Sequence, residues 1–259
     1  MKELEGYLRA LHLPTIRACC AEVAEKAAKE GLGYTEFLTE LLARECEVRW
    51  QNRVERLLHE SRLPLEKSLG SLDLSRLPIR VRQQVATLQG GQFLGRRENV
   101  LVFGNPGSGK THLLCGLSQA LIRAGYRVYY RPCTLLVQEL LLAKKELALP
   151  RLLKRLGGYH ALFIDDLGYV QQSREEMEVL FTLLADRYER GSVLLTSNLP
   201  FSRWEEIFKD PMTTAAAIDR LVHHSVIIEL NLPSYRMEQA KAARADGQPA
   251  PPAETAEAR

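Results

Sequence analysis

Gly104-Asn105-Pro106-Gly107-Ser108-Gly109-Lys110-Thr111 is the stretch on which the fold turns. It matches G-x-x-x-x-G-K-[ST] at every fixed position. A short apolar run, Val100-Leu101-Val102-Phe103, leads into it, and Thr111 to Ala124 leads out with the apolar spacing of a helix. Each residue type has its own reason. Glycines let the backbone turn tightly and aim several N–H groups at one anion. The start of the helix adds partial positive charge. Lys110 supplies a full charge suited to β- and γ-phosphates, and the Thr111 hydroxyl is the oxygen ligand that Mg²⁺ prefers. His112 is counted with the loop as facing the nucleotide. A bare strand-to-helix turn needs no Lys-Thr after its last glycine.

A phosphate cradle of this kind calls for a carboxylate at the C-terminal end of a neighbouring strand. Ala161-Leu162-Phe163-Ile164-Asp165-Asp166 supplies it: four apolar residues, then two acids, in the Walker B pattern. Adjacent aspartates at a strand end repel each other without a cation. Asp165 is therefore assigned, with Thr111, to the Mg²⁺ shell, and Asp166 to polarising the attacking water as general base. The other reading of Asp166 is a cap on the turn or helix that follows. Val193-Leu194-Leu195-Thr196-Ser197-Asn198 reads as a further buried strand. If it lies between the other two, the Asn198 amide points at the γ-phosphate; otherwise Asn198 forms a turn before Pro200. Arg220, in Asp219-Arg220-Leu221, is a candidate for reaching the nucleotide of a neighbouring subunit, or else pairs with Asp219 or Glu229. Arg236 is a candidate phosphate contact within its own subunit. Phe201, Trp204 and Phe208 read as packing.

Five apolar runs alternate with helical spacing: Asn99–Phe103, Tyr126–Arg131, Ala161–Asp165, Ser192–Ser197 and Ser225–Leu230. That predicts a parallel sheet covered on both faces. Residues 1–62 read as helix, broken by Gly31-Leu32-Gly33 into two, with Thr35 as N-cap of the second. Residues 63–79, with Pro64, Gly70 and Pro78, read as an irregular linker, and Asp246–Arg259 as a disordered tail. The expected division is a helical DNA- or partner-binding domain over 1–65, a catalytic domain over 66–245 and a disordered tail over 246–259.

The 259 residues are 46% apolar and 26% charged, which excludes collagen-like, disulfide-scaffold and wholly disordered classes. With 35 basic and 32 acidic residues, any nucleic-acid surface has to be local. Candidates are Arg76, Arg80, Arg82, Arg96, Arg97, Lys144, Lys145, Arg151, Lys154 and Arg155. Five cysteines without CxxC or zinc spacing fit a reducing cytoplasm. The first residues lack the pattern of a secretory signal. No apolar run approaches the roughly 18 residues that span a bilayer. A cytoplasmic protein with no membrane partner is expected.

In order, GNPGSGKT, LFIDDLG, LLTSNLP and IDRLVHH resemble the motif set of the AAA+ ATPases, P-loop NTPases of the ASCE branch. More narrowly, Asp165-Asp166-Leu167-Gly168, Ser197-Asn198 followed by Pro200-Phe201, Trp204-Glu205-Glu206-Ile207-Phe208 and Asp219-Arg220-Leu221-Val222-His223 resemble the IstB-type insertion-sequence ATP-binding proteins. These in turn resemble DnaC-type helicase loaders. The likeness covers roughly residues 5–245, including Leu41-Leu42 and the Glu/Arg-rich helix around it. It implies an α/β P-loop core of five parallel strands in the order 5-1-4-3-2, a small helical N-terminal domain and no separate lid domain. It implies ATP and Mg²⁺ as cofactors and ATP-dependent rings or helical filaments of this chain on double-stranded DNA. It also implies a partner transposase assisted in transposition, with hydrolysis driving disassembly. Carried over, Lys110 and Thr111 bind nucleotide and Mg²⁺, Asp165 and Asp166 serve hydrolysis, Asn198 is the sensor and Arg220 the finger in trans. The alternative is a loader that docks a replicative helicase. A metabolic kinase is a third class, disfavoured because no lid-like arginine cluster is evident. One departure stands out: the family's linker often carries a motif like LEDFDF, whereas here Leu69-Gly70-Ser71-Leu72-Asp73-Leu74 has no phenylalanine.

Overall fold

The computed structural model describes residues 2–168, 173–208, 210–235 and 237–238. The chain divides into two compact units, residues 1–57 and 58–259. The first holds α1 (Lys2–Ala10), α2 (Pro14–Glu30) and most of α3 (Tyr34–Ser61), around a small core of Leu8, Ile16, Val23 and Leu41.

Two expectations fail here. There are three helices, not two. His12 takes a left-handed φ of 54° and Pro14 opens α2, where its fixed φ suits a first turn. The apolar spacing runs on through Leu8 and Leu11 and hides this break. Thr35 is not an N-cap; it lies inside the first turn of α3, and Glu36 accepts the Gly33 N–H at 2.9 Å.

The start of α2 is satisfied from a distance. Leu13 precedes it and offers no side-chain cap. Glu45 of α3 accepts the N–H groups of Thr15 (2.9 Å) and Ile16 (3.0 Å), together with Arg49 Nε (2.8 Å). Burial pushes the Glu45 carboxyl up, but Arg49 and the two amides outweigh it and leave the group below the usual carboxylate range.

The second unit contains α4 (Ile79–Gln89), α5 (Gln92–Gly95), β1 (Asn99–Gly104), α6 (Lys110–Arg123), β2 (Val128–Pro132), α7 (Cys133–Lys145) and α8 (Leu149–Gly157). It continues with β3 (Ala161–Leu167), α9 (Arg174–Arg187), β4 (Ser192–Ser197), α10 (Glu205–Phe208), α11 (Pro211–Val222) and β5 (Ser225–Leu230). The strands pair in parallel in the order β2-β3-β4-β1-β5, the expected order. β2 starts later than the sequence suggests, because the Tyr126 N–H closes the end of α6 on Leu121 O at 3.1 Å.

The strand residues Leu101, Phe103, Leu162, Ile164, Val193 and Leu195 join α7, α8, α9 and α11 in one core. Val100, Val102, Phe163 and Leu194 alternate with them, are also buried, and face the other way. α6 contacts β1, β2, β3 and β4. Burial on both faces explains why the strands read as continuous apolar runs. Arg187 is a buried cation tied to backbone: its guanidinium donates to Tyr159 O (2.9 Å), Ser192 O (3.0 Å) and His160 O (3.1 Å). Burial lowers its pKa to about 10.

Of the expected linker 63–79, residues 63–78 hold no α-helix or strand, only a 3-10 turn at Leu74–Arg76 capped by Asp73, but they are no loose spacer. Gln119 Nε2 of α6 donates to Leu65 O (3.2 Å) and Lys67 O (3.1 Å). The backbone of Leu69 passes so close to Gly116 that a Cβ there would lie 2.6 Å from Leu69 N. The segment is a strap laid along α6.

Candidate functional site

β4 lies between β1 and β3, so the C-terminal ends of these strands bring the phosphate loop, the two aspartates and Asn198 to one edge of the sheet. The loop needs glycine most clearly at Gly107. Its φ is +79°, and a Cβ there would meet Ser234 Oγ at 2.1 Å. The Gly107 carbonyl accepts the Tyr235 N–H at 3.1 Å, which pins the segment after β5 across the loop. Lys110 is buried, and its Nζ donates to Gly104 O (2.8 Å) and Asn105 O (3.0 Å).

The two aspartates occupy different environments. Asp165 is buried. Its Oδ1 accepts Thr111 Oγ1 (2.9 Å) and Thr196 Oγ1 (2.5 Å), and its Oδ2 accepts the Tyr130 hydroxyl (3.2 Å). Burial, then the charge of Asp165, push the Tyr130 phenol well above its ordinary range, so it is held as a donor. The same two causes push the Cys115 thiol up to about 12, which makes it chemically quiet. Asp166 is exposed and lines the cavity beside the loop. It sits at an irregularity of β3, with φ 58°; it caps no helix among the described residues, and α9 has its own capping box at Ser173.

The cavity is about 260 Å³. Residues Pro106 to His112, Asp166 and Asn198 line one side. The strap supplies Lys67, Leu72, Asp73 and Arg76, and the segment after β5 supplies Leu232, Pro233 and Tyr235. Arg76 clasps the two walls together. Its guanidinium lies 5.0 Å from the Tyr235 ring centroid and pairs with Glu238 at 2.5 Å. His112 lines the cavity too, but its Nε2 donates to Ser68 O at 2.9 Å and lies 3.0 Å from Ser71 Oγ. It braces the strap.

Arg236 falls outside the described residues, as do residues 246–259. Arg220 lies apart from the loop. It lines a second cavity of about 230 Å³ with Arg96, Arg97 and His224, bounded by Asn99 and Val193 at the opposite ends of β1 and β4. It pairs with neither Asp219 nor Glu229 among the described contacts. Its guanidinium donates to Ala216 O at 2.9 Å and stacks 4.8 Å from the Phe181 ring centroid. Nearby, Glu189, His223 and His224 bring ligand atoms within 4.8 Å of one another at the surface, but the arginines around them oppose a dication. Among the candidate DNA contacts, Lys144 pairs with Glu178, Arg155 with Glu139 and Arg96 with Glu98; surface pairs of this kind open at little cost.

Phe201, Trp204 and Phe208 pack as expected. Trp204 is fully buried, 4.9 Å from Phe201 and 6.2 Å from Phe103 and Phe208 between ring centroids, and its Nε1 donates to Leu199 O at 3.1 Å. Sequence reasoning missed Thr196, Tyr130 and the strap wall. The signal for Thr196 was a polar residue inside an otherwise apolar strand.

The residues present suit a Mg²⁺–nucleotide. Ser108 Oγ and Asn198 Oδ1 are buried with no hydrogen-bond partner among the described residues, and both residues line the cavity, where a ligand would satisfy them. Thr111 and Asp165 offer hard oxygen donors.

The fold and this loop define a P-loop domain of the AAA+ type. Solved structures agree on the fold. The crystal structure of the DnaC helicase loader matches with a TM-score of 0.55 at 16% identity, over 64% of this chain and 97% of that one. AMPPCP-bound DnaA from Aquifex aeolicus matches with a TM-score of 0.54 at 14% identity, over 71% and 56%. The chain belongs to the family of IstB-like ATP binding proteins, whose family model matches residues 6–243. It is 41% identical to an insertion-sequence ATP-binding protein of Sinorhizobium fredii over 94% of this chain and 82% of that protein. It is 39% identical to the IS21 ATP-binding protein of Pseudomonas aeruginosa over 94% and 92%.

Proposed function

We propose that this chain binds and hydrolyses ATP with Mg²⁺, assembles with copies of itself on double-stranded DNA, and assists a partner transposase in moving an insertion sequence. The observation that carries the chemistry is the division of labour between the two aspartates. Asp165 is buried under three hydroxyl donors, including that of Thr111, as suits a carboxylate held for a cation. Asp166 faces the cavity, as suits a base that takes the proton of an attacking water. Bound Mg²⁺ would neutralise charge on the phosphates and on the leaving oxygen. Lys110 adds a positive charge to the triphosphate, and the Asn198 amide orients the water or senses the γ-phosphate. The insertion-sequence names of the relatives support the transposase as partner over a replicative helicase.

Asp166→Asn should bind a fluorescent ATP analogue like the unaltered chain while losing about 10²- to 10⁴-fold in turnover, and should trap assemblies on duplex DNA. Lys110→Ala should lose both binding and assembly. ATP-dependent assembly by Lys110→Ala contradicts the scheme. Retention of a helicase in place of a transposase on the immobilised protein selects the loader reading.

A further inference from the structure

β3 and β4 run in register from Ala161↔Ser192 to Ile164↔Leu195 and meet again at Leu167↔Ser197. Between those points β3 has two residues, Asp165 and Asp166, and β4 has one, Thr196. β3 therefore carries one residue too many, a bulge of the kind that re-aims a side chain beside an active site. The bulge takes Asp166 to φ 58°, a conformation that residues other than glycine seldom adopt. It also removes the Asp166 N–H from the regular ladder.

Thr196 answers both consequences with one hydroxyl. Its Oγ1 accepts the Asp166 N–H at 2.8 Å, and its single O–H donates to Asp165 Oδ1 at 2.5 Å. The side chain is fully buried on β4, two residues before Asn198, which follows the end of that strand. A hydroxyl has one proton and two lone pairs, and here one proton and one lone pair are each committed to a different aspartate. Among the described hydrogen bonds, Thr111 and Tyr130 reach Asp165 and not Asp166. Among the described hydrogen bonds, Thr196 is the side chain that touches both.

We propose that Thr196 is a positioning residue for ATP hydrolysis: its hydroxyl fixes the Asp165 carboxylate for the cation and the Asp166 backbone for the water, and ties both to the strand that leads into Asn198. The proposal rests on the hydrolytic reading above. Thr196→Val keeps the shape and removes the hydroxyl; Thr196→Ser keeps the hydroxyl and removes a methyl. A packing role and a positioning role therefore rank the two variants in opposite orders.

The test measures ATP turnover against Mg²⁺ concentration on duplex DNA, binding of a fluorescent ATP analogue in EDTA, and the melting temperature. Thr196→Val should lose about 10- to 100-fold in kcat, the usual effect of a lost outer partner. It should need more Mg²⁺ for half-maximal rate and bind nucleotide in EDTA like the unaltered chain. Thr196→Ser should retain most turnover although it melts lower. Unaltered turnover and Mg²⁺ dependence in Thr196→Val overturn the proposal, as does a loss in both variants that tracks their melting temperatures. If Thr196→Val does not fold, Thr196→Ala is compared with Thr196→Ser; both lack the methyl, and equal rates overturn the proposal. An unaltered chain that binds ATP without hydrolysing it fails differently, because it sinks the hydrolytic reading itself.

Discussion

Gly107 shows how one residue can be demanded twice. Its positive φ excludes most side chains, and Ser234 occupies the space that a Cβ would fill. The same residue offers the carbonyl that anchors Tyr235. Gly107→Ala should therefore weaken nucleotide binding by about 5- to 150-fold, since about 1–3 kcal/mol of backbone strain falls on the loop itself. Titration with a fluorescent ATP analogue measures it; an unchanged affinity would show that the loop relaxes freely. The neighbouring glycines and Lys110 were legible because the motif states a backbone and charge requirement local to eight residues. The separate fates of Asp165 and Asp166 were legible only as roles. Their environments depend on a bulge, and a bulge is a mismatch between two strands that lie far apart in the chain.

At the scale of elements, α2 begins with no local cap and depends on Glu45 of α3. Glu45→Gln should cost about 1–3 kcal/mol in the N-terminal unit, because the charge is lost from the acceptor of the buried Ile16 amide and the partly buried Thr15 amide. The pH dependence has a definite sign. The Glu45 pKa is lowered on folding, so its stabilisation is complete above the unfolded value near about 4.3 and is lost as pH falls through the folded value. Helical circular dichroism of the unaltered chain should decline over that acid window, and Glu45→Gln should show a shallower decline. The aromatic cluster after β4 makes a second prediction. Trp204→Ala removes a fully buried indole and its bond to Leu199 O, with a cost of about 3–5 kcal/mol. Leu199 adjoins Asn198, so turnover should fall even in protein that remains folded at low temperature; unchanged kcat there would separate the cluster from the site.

For the whole molecule, the loop and Arg220 lie at opposite ends of the strands, so a role for Arg220 in hydrolysis requires a second copy. Arg220→Ala and Lys110→Ala should each be inactive alone. Mixed, they should recover part of the turnover, because a Lys110→Ala copy still offers Arg220 to a neighbour that binds ATP. No recovery in mixtures that co-assemble would remove Arg220 from the mechanism. The clasp of Arg76 on Tyr235 and Glu238 joins the strap to the segment after β5, so the cavity wall is built from both ends of the 58–259 unit.

The order of the segments that meet at the site was legible in the sequence: the loop, the acidic strand end, Asn198, and the alternation of buried strands with helices that makes the sheet parallel. These are local demands, readable from the few residues that make them. Three things waited for the tertiary structure: the strap as a wall of the site, Thr196 as the shared partner of two aspartates, and Glu45 as the cap of a distant helix. Each is a hydrogen bond or close approach between segments tens of residues apart. Such a contact leaves no period or spacing behind, only a polar residue where an apolar one was expected.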